Sequence, residues 1–336
     1  MTATTGVRAT RRRWRRALVV ALVLSLALAV GGCGRLRHDI RARLGSGTGS
    51  AGPGSAAGAC SPGLRIPAGT TERQISVDGS PRSYLLHIPP SYNGARRLPV
   101  VVTFHGLGAN AQEQLALSDF PAVADRDGFV VVAPQSRGPG WDFLTPPSRP
   151  GSDAAFIVAL MADLPSVACV DPHRFYATGI SNGAAVVFAL ACANVGGFAA
   201  YGAAAGTFYN PACDRAPPQP IVYFHGTADP LVPIGGGKVF GITVAPARQS
   251  MDQWAAHNGC PGGPRQSSIG SDVTLLAWTG CRDGADVDYY VIAGGGHSWP
   301  GAPPAIARLA DRFFGHTTQT ISASQIMWAF FASRSR

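Results

Sequence analysis

From residue 60 onward, short and nearly continuous apolar runs alternate with longer stretches of helical periodicity. The runs at 84–88, 98–104, 129–133, 175–178, 221–224, 273–278 and 287–292 have the length and the β-branched or aromatic content of strands. The unbroken Val100-Val101-Val102 predicts a strand buried on both faces. Helical patterns fall between the runs, at 112–127, 153–167, 184–193 and 248–258. Over 153–167, Phe156, Leu160 and Leu164 share one face, and Ser152 stands where an N-cap is needed. A last helix is predicted over 322–331, opened by the capping pair Ser322 and Gln325 and docked on the sheet through Ile326, Trp328, Phe330 and Phe331. Such alternation predicts an α/β fold with a mostly parallel sheet and helices on both faces. In such sheets the chemistry lies at the C-terminal ends of the strands. No internal repeat and no second domain is visible after residue 60.

Charge divides the chain. The net charge is +9, but residues 1–33 hold six arginines and no acid, and 34–44 add four arginines against Asp39. The remainder is neutral, so no nucleic-acid surface is expected on the folded part. The first 33 residues read as an export signal: a basic start, an apolar run over 17–30, then Val30-Gly31-Gly32-Cys33, which resembles a bacterial lipobox. Cys33 is therefore the expected lipid-attachment residue, with an uncleaved anchor or plain secretion as alternatives. A membrane is expected to be met only through that N-terminal lipid. Residues 45–58 are nearly all Gly, Ser, Ala, Thr and Pro and read as flexible tether. The expected organisation is a signal at 1–33, a tether at 34–62 and a catalytic domain at 63–336.

Seven cysteines fit an exported protein. Without Cys33 six remain, an even number that predicts three disulfides. The pairing read here is Cys60–Cys169, Cys192–Cys213 and Cys260–Cys281, favouring local loops for the last two. No cysteine has CxxC or Cys/His spacing, so no metal site is expected.

The chemistry centres on Gly179-Ile180-Ser181-Asn182-Gly183, which follows a predicted strand and opens a predicted helix. Strand, tight turn and helix make this a nucleophile elbow. A serine hydroxyl needs a base near neutral pKa, and the base needs a carboxylate to hold its tautomer. Asp229 follows the 221–224 strand and His297 follows the 287–292 strand, giving the order serine, aspartate, histidine. Asp283, Asp286 and Asp288 are rival acids that lie too near the last strand for the usual position, with Asp283 left open. An oxyanion site needs two convergent N–H groups. Asn182 supplies one, and Leu107 or Gly106, after the 98–104 strand, supplies the other. His105 and His225 each precede a glycine at a strand end and read as packing or loop-bracing residues.

His105-Gly106, Thr178 to Gly183, His225 to Asp229 and Gly294 to Pro300, in that order, resemble the poly(3-hydroxybutyrate) depolymerase-like esterases. That group also takes in feruloyl and acetylxylan esterases and actinobacterial lipoproteins. The resemblance implies an α/β-hydrolase fold, no cofactor or metal, and a triad of Ser181, Asp229 and His297. It implies ester substrates: hydroxyalkanoate oligomers, or feruloyl and acetyl esters linked to polysaccharide. Leu107 departs from the family, many of whose members carry a cysteine there, and this weakens any transfer of polymer specificity. Trp299 and Trp141 are candidate pocket residues, each weighed against a packing role. The Pro/Gly-rich segment 136–152 is placed beside a fairly open cleft. The alternatives are an envelope acyltransferase using the same triad, and a non-catalytic lipoprotein on a hydrolase scaffold.

Overall fold

The computed structural model describes residues 60, 66–142, 149, 151–206, 213, 215–239 and 241–336. The predicted signal with Cys33, and the tether apart from Cys60, lie outside the described residues. In chain order the elements are β1 (Gly69–Val77), β2 (Ser80–Ile88), β3 (Leu98–Phe104), α1 (Ala111–Ser118), α2 (Phe120–Asp127), β4 (Val130–Pro134), α3 (Asp153–Val167), β5 (Val170–Ile180), α4 (Asn182–Ala193), β6 (Ala200–Ala204) and β7 (Ile221–Gly226). A small hairpin of β8 (Gly237–Val239) and β9 (Ile242–Val244) follows, then α5 (Ala247–His257), β10 (Arg265–Ile269), β11 (Val273–Trp278), β12 (Val287–Ile292), α6 (Pro304–Phe314) and α7 (Ala323–Ala332).

Ten strands form one sheet in the order β1-β2-β4-β3-β5-β6-β7-β12-β11-β10. From β4 to β12 every neighbour runs parallel. Two antiparallel strands finish each edge. Every residue of β3, β4, β6 and β7 is buried, as a sheet covered on both faces requires. Alternate residues feed two cores. Val100, Val102 and Tyr223 meet Phe156, Phe188 and Trp254, carried by α3, α4 and α5. Val101, Tyr176 and Phe224 meet Leu115, Phe120, Met327 and Phe331, carried by α1, α2 and α7. The C-terminal helix docks through its rings: Phe331 stacks on Tyr176 at 4.9 Å and Trp328 on Phe129 at 4.0 Å.

The structure departs from the sequence reading in a few elements. The helix expected over 112–127 is two helices, broken at Asp119, whose φ of 54° is left-handed. Pro121 follows within the first turn of α2, where a missing N–H costs nothing. β1 and β10 are edge strands with mostly polar, solvent-facing residues, so no apolar run marks them. β6 is built of Ala, Tyr and Gly and is weak in strand propensity. Its place is set by α7: a Cβ on Gly202 would lie 2.9 Å from the Met327 sulfur. Three disulfides join Cys60 to Cys169, Cys192 to Cys213 and Cys260 to Cys281.

Candidate active site

Ser181 alone turns the chain from β5 into α4. Its φ of 59° and ψ of −118° lie where an L-residue is strained. The surroundings fix that conformation. Ser181 donates its backbone N–H to Ala204 at 2.9 Å and accepts from Ala185 at 3.1 Å. The flanking glycines leave no room for side chains. A Cβ at 183 would sit 2.2 Å from the Phe104 carbonyl oxygen, and one at 179 would sit 2.7 Å from the Gly183 carbonyl. The orphan N–H groups at the start of α4 make the turn electropositive.

Asp229 and His297 lie two and three strands away from β5, at the same end of the sheet. His297 Nδ1 is 2.8 Å from Asp229 Oδ2, and both side chains are buried. Asp229 Oδ1 accepts the backbone N–H groups of Leu231 and Val232, each at 2.8 Å. Burial alone would raise the Asp229 carboxyl, but hydrogen bonds from His225, His297 and Val232 outweigh it and hold the group well below the usual carboxylate range. The two loops are stitched by their backbones. Thr227 N–H donates to Ile292 and Ala228 N–H to Gly295, both at 2.8 Å, and Gly294 N–H donates to the Thr227 hydroxyl at 2.8 Å. A Cβ on Gly226 would lie 2.2 Å from the Gly295 carbonyl oxygen. The end of α6 holds the far side: His297 N–H donates to Phe314 at 2.7 Å.

The rival acids lie elsewhere. Asp283 sits in an exposed 3-10 turn, Asp286 accepts the Cys281 N–H at 3.2 Å, and Asp288 is at the start of β12, the end opposite His297. His105 is fully buried; it donates from Nδ1 to the Gly106 carbonyl at 2.8 Å and accepts the Ser136 N–H on Nε2 at 3.2 Å. Burial lowers its pKa, so it stays a neutral brace.

Gly106 stands against Ser181: a Cβ there would be 3.5 Å from the Ser181 Cβ. Leu107 projects beside it and is 45% exposed. The segment 139–142 ties this loop to Asn182. Gly108 N–H donates to the Pro139 carbonyl at 2.5 Å, and Trp141 N–H donates to Asn182 Oδ1 at 2.6 Å. Trp141 Nε1 donates to the His105 carbonyl at 3.0 Å. Asp142 N–H donates to Asp153 Oδ2 at 2.8 Å, and Asp153 pairs with Arg82 at 2.6 Å.

Both tryptophans differ from the pocket role set out above. Trp299 has no exposed surface; its indole N–H donates to Ser324 Oγ at 3.0 Å, and its ring meets Phe120 edge-on. It wedges the histidine loop onto α2 and α7. Trp141 is 4% exposed and packs on Phe104 and His105, so it braces the end of β3 and the loop after it. Sequence reasoning missed Tyr223, whose hydroxyl bonds His225 Nδ1, and the Arg82–Asp153 pair. The alternation of β7, which puts residues 223 and 225 on one face, was the available signal for the first.

The family model described as Esterase PHB depolymerase matches residues 82–234. Feruloyl esterase C of Emericella nidulans is 29% identical over 249 residues, 68% of this chain and 85% of that one. Feruloyl esterase B of Piromyces equi is 30% identical over 234 residues, and the alignment spans 65% of this chain but only 42% of that longer protein. Among solved structures, an acetyl xylan esterase from Aspergillus awamori aligns with a TM-score of 0.53 at 16% identity, covering 72% of this chain and 98% of that one. A thermostable esterase aligns at 0.54 and 19% identity, covering 80% of this chain and 63% of that one, a likeness of fold. The chain is a carboxylic-ester hydrolase with an α/β-hydrolase fold, similar to the PHB depolymerase esterases and the feruloyl esterases.

Proposed function

We propose that this esterase is exported and works through an acyl-enzyme on Ser181, with His297 as base and Asp229 as its orienting acid. The observation that carries the reading is the 2.8 Å bond from His297 Nδ1 to a buried, ionised Asp229 at the same sheet end as the strained serine. That bond leaves His297 Nε2 as the proton acceptor. Ser181 Oγ attacks the ester carbonyl carbon and its proton passes to Nε2. The oxyanion is met by N–H groups of Asn182 and of the Gly106–Leu107 loop. Collapse breaks the C–O bond, and Nε2–H protonates the departing alcohol. Water then attacks the acyl-enzyme, its proton passing to Nε2; the acyl–Oγ bond breaks, Nε2–H returns the proton to Ser181 Oγ, and the acid leaves. The substrates proposed are feruloyl or acetyl esters on polysaccharide, or hydroxyalkanoate oligoesters. The three disulfides support export to an oxidising compartment. Lipid attachment at Cys33 is part of the proposal, and fatty-acid labelling that survives Cys33→Ser would overturn it.

The test is turnover of p-nitrophenyl acetate, methyl ferulate and hydroxybutyrate oligomers by the purified protein beside Ser181→Ala. Activity that persists in a folded Ser181→Ala sinks the mechanism. Partition of the acyl group between water and an added alcohol separates hydrolase from acyltransferase.

A further inference from the structure

Asp229 is held from more sides than a triad requires. Its Oδ1 is occupied by two backbone donors, while Oδ2 meets His297 on one side and His225 Nε2, at 3.4 Å, on the other. His225 is 1% exposed and lies in β7, four residues before the acid. Its Nε2 is also 2.8 Å from the Val232 carbonyl oxygen. A carbonyl only accepts, so Nε2 carries the hydrogen. Nδ1 is then the acceptor, and its partner is the hydroxyl of Tyr223. Burial holds the Tyr223 phenol well above its usual pKa, so it remains a donor. The phenol oxygen also takes a backbone hydrogen bond from Gly206, and a Cβ on Gly206 would lie 2.6 Å from the Ser181 carbonyl oxygen.

We propose that His225 is a positioning residue for the acid. Its Nε2–H is shared between the Val232 carbonyl and Asp229 Oδ2, which keeps the 229–232 turn closed and the carboxylate aimed at His297. Tyr223 fixes the tautomer this requires, and through Gly206 it reaches the backbone that carries the nucleophile. The proposal rests on the triad reading and adds a residue to it. The same arrangement explains why His225 cannot serve as a base: both its nitrogens are already engaged.

The experiment compares wild type, His225→Gln, His225→Leu and Tyr223→Phe in the whole chain. It measures kcat and KM on a p-nitrophenyl ester, the rate of Ser181 labelling by a fluorophosphonate, and melting temperature as a check of folding. His225→Leu should lose about 10–100-fold in kcat, the range typical of losing a partner that orients a working group, with KM held within about twofold. His225→Gln, whose amide N–H can stand in for Nε2–H, should recover most of that loss. Tyr223→Phe should fall between. A folded His225→Leu with kcat within about twofold of wild type overturns the proposal. If that variant does not fold, a folded Tyr223→Phe with unchanged kcat does so. Wild type that resists labelling at Ser181 would instead overturn the triad. Labelling at equal rates in wild type and His225→Leu rejects His225 alone.

Discussion

Replacing Arg82 with methionine would strand the Asp153 carboxylate in the interior. The two side chains are only 3% and 9% exposed, and their bond is 2.6 Å long. Asp153 would keep the Asp142 N–H as a donor but lose its counter-charge. Breaking a buried pair from one side costs about 3–5 kcal/mol. The guanidinium also lies 4.1 Å over the Phe156 ring, a contact worth about 0.5–2 kcal/mol whose packing share methionine partly restores. Arg82→Met/Asp153→Leu removes both charges, the Asp142 N–H bond and a long bond to the half-buried Gln135 carbonyl, at about 1–3 kcal/mol. At roughly 2 °C per kcal/mol for a domain of this size, the single variant should melt about 6–10 °C low and the double about 2–6 °C low. Calorimetry on wild type, both single variants and the double variant measures this coupling. Turnover reports a second consequence, because Asp142 adjoins Trp141, which holds Asn182. The singles should lose kcat more than they raise KM. Losses in the double that simply add those of the singles would refute the reasoning, as would an Arg82→Met protein melting within about 2 °C of wild type.

Three further outcomes are expected. Asp229→Asn should fold and lose about 10⁴-fold in kcat, because the amide supports the wrong imidazole tautomer; near-normal turnover would reject the assignment. Asp288 is raised to about 6, mainly by burial and partly by Asp286, with Arg334 opposing. A raised carboxyl favours folding at low pH and weakens it as pH climbs through 6, so Asp288→Asn should melt with wild type near pH 4 and above it at pH 8, by up to about 3 kcal/mol. A gap that does not widen with pH counts against this. Gly183→Ala sets a methyl 2.2 Å from a main-chain oxygen, a clash no rotamer relieves, and should exceed the roughly 1–3 kcal/mol of ordinary overpacking. Soluble expression and fluorophosphonate labelling check it; full activity would contradict the geometry.

The central strands were legible because two-sided burial writes them as apolar runs, and the elbow was legible because a strained turn admits only glycine beside the serine. Elements that take their place from neighbours were not. β6 has little of its own to announce it, and Gly202 makes sense only once Met327 and Phe331 lie over it. α6 begins at a proline and buries only Ala307, but the helical spacing of Ile306, Leu309 and Phe313 was an available signal that went unused. The proximity of Asp229 and His297 could be expected from their positions after strands, which the chain order reveals. The fate of Trp299 was not, since whether a ring beside a catalytic loop faces solvent or core depends on which helices close over it. Here Phe120 and Ser324, from distant parts of the chain, decide it.

The contact between Gly226 and Gly295 bears on reach. Strands in a sheet stand about 4.8 Å apart, so β12 begins roughly 14 Å from the line of β5. In the proposed triad, His297 launched from β12 must lean back across the end of β7 to meet a serine launched from β5. It does so by lying directly on that end, backbone on backbone, with nothing at position 226 to prop it up. A methyl group there would act as a shim. It would leave the serine on its elbow, lift the His297 loop off the strand end that carries Asp229, and so hold the serine and the histidine apart.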